Sequence, residues 1–327
     1  MPGITLTVSF LFGFAAGIAF TAALLGVLFL LRRRSRLQIL GFGNRTAWRK
    51  FNDDFPKFVE KHTSLQALRD KLFIRRVVPR HPVDYIVFGL GRVCIEDFEQ
   101  ALNLCGNGFG IGALQILRGM YERHVTAAYL AANPGDLEDF VNYHYVQQRK
   151  AIRHLEEAYR GDRDILNRLV TEADRRAVEE NFKNLPDKFK SRCADCKRPL
   201  MTSWTTHSTA ALAKLGGQGL DGLYYHQYFR PTLFTHSTFK SVEARVVDKP
   251  DGTFSFESEA QQKHIKEALI SAHGLLLNVF DLQNKHFNLD LDEELNSCNR
   301  DYLECWAPDH LHNDDLVVPE RAEGSNI

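Results

Sequence analysis

Neither sign of charge is in excess in this chain: 41 lysines and arginines stand against 41 aspartates and glutamates. No global field therefore favours nucleic acid or an acidic partner. A Gly-rich phosphate loop, a nucleophile elbow and a His-Glu-x-x-His helix are all missing, so none of the reactions those motifs carry is named by the sequence. There is no internal repeat and no low-complexity tract. No charged residue precedes Arg32, and no basic segment precedes the apolar run from Ile4 to Leu31. That absence, with the length of the run, argues against a cleaved signal peptide.

What is present begins with that run. A helix of about 20 apolar residues spans a bilayer core, so the stretch is expected to be one N-terminal transmembrane helix in contact with the lipid bilayer. Arg32, Arg33, Arg34 and Arg36 follow it directly. Positive residues stay inside, which puts the N-terminus outside and the body in the cytoplasm; the expected location is a bacterial inner (cell) membrane. Gly13 and Gly17 form a small-residue pair that two anchors can use to pack as a homodimer. In a reducing compartment the six cysteines are expected to be thiols.

The remaining chain reads as helix after helix. Amphipathic segments run from Arg45 to His62, where Pro56 is a point of splitting, and from Ser64 to Ile74. Longer ones follow over Asp84–Cys105, Gly110–Ala132 and Leu137–Tyr159, punctuated by Gly106-Asn107-Gly108 and Asn133-Pro134-Gly135. Arg163–Phe182 reads as a charged arm, Lys183–Pro199 as a loop, and Thr202–Leu215 and Asp221–Thr238 as helices, the last interrupted at Pro231. Val242–Val247 and Thr253–Phe256 flank a turn sequence and predict a small hairpin. A long helix over Ser258–His286, with Ser258 as N-cap, and a short one over Glu293–Trp306 complete the body. The expected fold is therefore all-α: a transmembrane anchor with basic flank over 1–36, a multi-helix cytosolic domain with one β-hairpin over 37–306, and a disordered tail over 307–327.

Three clusters carry chemistry. Arg118 and Glu122 lie four apart beside an apolar stripe of Leu114, Leu117, Tyr121, Val125 and Ala128. Such a pair holds a polar group in a site or serves as a structural ion pair between helices. Tyr228, Arg230 and His236 occupy an aromatic stretch. His titrates near neutral pH and Arg stabilises phosphate charge, so these are candidate catalytic groups; aromatic core packing is the plainer reading. An Arg followed at this spacing by a His is also the pattern of HEPN-type helical ribonucleases, though Arg75 with His81, Arg118 with His124 and Arg149 with His154 fit it equally. Cys193 and Cys196 supply half a tetrahedral zinc site, and an ordinary loop explains them as well. No cofactor is implied.

Leu114-Gln-Ile-Leu-Arg-Gly-Met-Tyr-Glu122, with Ser203-Trp204, Tyr225-x-x-Tyr228 and Thr235-His236-Ser237, resembles a bacterial family known only as a domain of unknown function. The resemblance covers about Asp84 to His286. It implies an all-helical domain in which Arg118, Glu122, Tyr228 and His236 converge. Two expectations follow: a helical sensor or interaction module held at the membrane, or a membrane-tethered hydrolase, most plausibly a HEPN-like ribonuclease, with nucleic acid as partner only in the second.

Overall fold

The computed structural model describes residues 44–192, 201–256 and 263–307. The chain divides into two units, Met1–Asp53 and Asp54–Ile327. Of the first, the described part is α1 (Arg45–Asp54), which reaches the boundary. Asn44 Oδ1 accepts from the Thr46 and Ala47 amides at its start, and Trp48 meets Phe51 edge-on at 5.5 Å.

The second unit opens with α2 (Pro56–Phe73). Pro56 occupies the first helical turn, where its missing N–H costs nothing. The proline thus divides the helical pattern at Phe55, and the two segments expected on either side of His62–Ser64 are one helix. α3 (Val83–Gly106) and α4 (Gly110–Ala132) form an antiparallel pair, and α13 (Ile265–Phe287) packs across both. The apolar stripe predicted on α4 is buried throughout, and the two helices packed against α4 bury Val87, Ile95, Leu275, Leu276 and Phe280. Each such side chain stabilises the fold by about 1.5–3 kcal/mol. Gly110 lets α4 begin against α13: a Cβ there would lie 2.5 Å from the Lys263 carbonyl oxygen and 2.6 Å from the Ile265 nitrogen. α14 (Asp292–Trp306) closes one side by packing on α2 and α13.

Beyond α4 the chain continues through one more long helix and then a series of short pieces. α5 (Leu137–Ala158) follows a single 3-10 turn. The charged arm is two helices, α6 (Arg163–Leu169) and α7 (Glu172–Lys183), because Val170 is extended and Thr171 caps α7 reciprocally with Asp174. Arg149 of α5 clamps α7 through Glu179 at 2.6 Å and the Phe182 ring at 3.9 Å. The expected loop contains α8 (Asp187–Lys190), which buries Phe189 with Tyr143, Val146 and Leu185 in a small second core. Residues 202–208 are irregular; Ser208 caps α9 (Thr209–Gly216) instead. After α10 (Leu220–Tyr224) and a turn described below come α11 (Arg230–Thr235) and α12 (Phe239–Glu243). Thr238 caps α12 and draws Val242 into that helix, so the hairpin is shorter than its β-type residues suggest: β1 (Val246–Asp248) pairs antiparallel with β2 (Phe254–Phe256).

The helical body stands, and the membrane-spanning part of the expected fold is corrected. Among the described residues no helix is long and apolar enough to cross a membrane. The long ones carry too much charge: α3 holds Asp84, Arg92, Glu96, Asp97 and Glu99. The segment 4–31, with Gly13 and Gly17 and the expected bilayer contact, lies outside the described residues. So do Cys193, Cys196, Ser258 and the tail beyond Ala307. Cys94, Cys105, Cys298 and Cys305 are free thiols.

Candidate functional site

The aromatic stretch after α10 owes its shape to Pro231. Without an amide hydrogen, Pro231 cannot bond back to the preceding turn. The Arg230 amide reaches five residues back to the Tyr225 carbonyl, and Tyr225–Phe229 forms one π-helical turn. Thr232 Oγ1 donates to the Tyr228 carbonyl at 2.7 Å and satisfies it from the side chain. Such turns are rare and recur at functional sites.

This turn lies against α4. Tyr228 packs on Tyr224 at 5.1 Å and on the fully buried Tyr121 at 6.0 Å, whose hydroxyl donates to the Leu220 carbonyl at 2.6 Å. The Arg118 guanidinium sits over the Tyr228 ring at 5.1 Å and donates through Nη2 to the Tyr228 hydroxyl at 3.4 Å and to Glu122 at 3.1 Å. Arg118 is 22% exposed and Glu122 41%. Burial lowers the pKa of the guanidinium, but the Tyr228 hydroxyl and the Glu122 carboxylate outweigh it and hold it above its ordinary value. Arg118 Nε is buried and makes no hydrogen bond.

Arg118, Glu122 and Tyr228 thus come together, as the resemblance implies. The other two candidates go elsewhere. Arg230 Nη2 donates to Glu267 Oε2 at 2.9 Å, and His264 Nδ1 lies 3.0 Å from the same oxygen. His236 follows the last residue of α11 and is exposed; its hydrogen bonds run through its main chain, to Thr232 and Thr238. The further Arg–His spacings have other uses. Arg75 lies over the Phe287 ring at 4.8 Å. His124 is buried, with neither ring nitrogen hydrogen-bonded and its pKa pushed down to about 3 by desolvation. Among the described residues no group of His, Cys, Asp and Glu is placed to hold a metal ion.

A concavity that the sequence did not announce lies between α5 and residues 202–204, with a volume of about 530 Å³. Phe140, Tyr143 and Gln147 share one face of α5 at helical spacing and line it with Thr202 and Trp204. Tyr143 pins the far wall by donating its hydroxyl to the Thr202 carbonyl. That spacing on α5 was the available signal, but a helix face that packs on a neighbour shows the same pattern.

The model of a Family of unknown function (DUF5677) matches residues 84–254, more than half of the chain. The chain belongs to that family. DUF5677 takes in α3, α4, the π-turn and the concavity, and ends before α13. The resemblance drawn from the Leu-Arg-x-x-x-Glu helix and the Tyr-rich stretch therefore points to a family of this description. No curated protein and no solved structure matches the chain.

Proposed function

We propose that this helical domain is a binding module, a sensor or interaction surface, and not a hydrolase. One observation carries the reading: Arg118 is engaged by Glu122 and Tyr228, while His236 lies exposed past the end of α11 with only main-chain hydrogen bonds. A general base must come within hydrogen-bond reach of the proton it takes, in concert with whatever stabilises the developing charge. Here the His and the Arg that would share those tasks belong to different networks. Glu122 and Tyr228 engage Arg118 through Nη2, and the Glu122 carboxylate weakens the pull of that guanidinium on an incoming phosphate. A pair that holds the π-turn to α4 in this way suits a fixed recognition surface.

RNA cleavage by the full chain is the test. The binding module is expected to leave RNA intact, in wild type and in His236→Ala alike. Cleavage by the wild type that disappears in His236→Ala overturns the reading.

A further inference from the structure

The geometry points to the concavity between α5 and residues 202–204 as a site for a neutral heteroaromatic ring of nucleobase type, a proposal that rests on the binding-module reading above. At about 530 Å³ the space falls within the usual range for small-molecule sites. Its aromatic side is a corner and not a flat platform. Trp204 and Phe140 meet at 5.4 Å with their planes at 85°. A planar ligand lying on one ring turns its edge to the other, so it gains an offset stack and an edge-to-face contact together. A puckered sugar or a branched aliphatic chain meets only one of the two well.

Trp204 is held from behind by Tyr129, at 5.7 Å and 61°. The Tyr129 hydroxyl in turn donates to Asp136. The wall is therefore set before any ligand arrives, which spares the ordering cost of binding.

Around the aromatic corner stand the Gln147 amide, the His144 imidazole and the Thr202 and Ser203 side chains. Gln147 and Thr202 are exposed. An amide offers a carbonyl acceptor beside two N–H donors, and a hydroxyl both donates and accepts. Adjacent donor and acceptor atoms on a ring edge are what such groups read. No Asp, Glu, Lys or Arg is among the lining residues, and the Lys150 ammonium beside them is engaged by the Tyr143 hydroxyl at 3.3 Å.

Calorimetric titration of the full chain with adenosine, guanosine and uridine tests the site. At least one nucleoside is expected to bind with a Kd on the order of 10 µM to 1 mM. Trp204→Ala should weaken it roughly tenfold, as loss of one stacking ring generally does. Because Trp204→Ala also removes a packed ring, Gln147→Leu is the second variant. It changes an exposed helix position, leaves the fold intact by circular dichroism, and should weaken the same nucleoside several-fold. His236→Ala should bind as the wild type does. The monophosphate of the preferred nucleoside should bind no more tightly than the nucleoside itself.

Three results overturn the inference: no nucleoside binding, binding indifferent to both Trp204→Ala and Gln147→Leu, or a monophosphate or neutral disaccharide that binds much more tightly than the nucleosides. Intact RNA beside silent nucleosides removes this site and spares the binding module. RNA cleaved in a His236-dependent way removes the binding module itself.

Discussion

Trp306 Nε1 donates a hydrogen bond to His273 Nδ1 across 3.1 Å, and both rings lie against Phe58. The contact closes α14 onto α2 and α13, and it needs His273 neutral, since a protonated imidazole has no acceptor nitrogen. Burial, reinforced by the charge of His62, pushes the His273 pKa down to about 4. The unfolded chain takes up its proton first, near pH 6.5. Stability is therefore complete above that pH and declines as the pH falls towards 4. His124, pushed down to about 3 by burial, acts in the same direction. Between pH 7 and pH 5 each should remove about 2 kcal/mol from the unfolding free energy. Urea unfolding at the two pH values checks this, and His273→Gln should flatten the acid limb by about one histidine's share.

Arg118 and Tyr228 make a second measurable pair. Tyr228→Phe keeps the ring beneath the guanidinium and removes the hydroxyl, and should cost about 1 kcal/mol. Arg118→Met removes both contacts and should cost somewhat more. A double-mutant cycle in urea should return a coupling of about 0.5–1 kcal/mol. Zero coupling would mean that the π-turn is not held by this pair.

Two glycines two residues apart on α4 should respond in opposite ways. Gly110→Ala pushes a methyl into the backbone of residues 263–265 and should cost more than about 3 kcal/mol, or prevent folding. Gly112→Ala meets only the Leu104 and Phe109 side chains, at 3.5 Å and beyond, and should stabilise by up to about 1 kcal/mol. Thermal unfolding of the two variants decides.

How much of this was legible in the sequence follows from where the determinants lie. The bounds of α4 are those its glycines and Asn133-Pro134 predict, because capping and helix-breaking are local. α6 and α7 were not separable, since one extended residue, Val170, and one capping box divide a continuous charged pattern. The Arg118–Glu122 pair was legible from spacing alone. Its partner Tyr228, named by the resemblance, depends on the π-turn, which shifts the faces of the aromatic stretch beyond what a 3.6-residue period gives. That same stretch leads Arg230 to Glu267 on α13, a contact 37 residues away that no local pattern encodes.

Turnover is the measurement that bears most directly on the proposed function. Full-length protein in excess over end-labelled single-stranded RNA, followed through a single turnover, registers even slow chemistry. A binding module leaves the RNA at its starting length in wild type, Arg118→Met and His236→Ala alike. Shortened RNA with the wild type, restored to full length by His236→Ala, would contradict it.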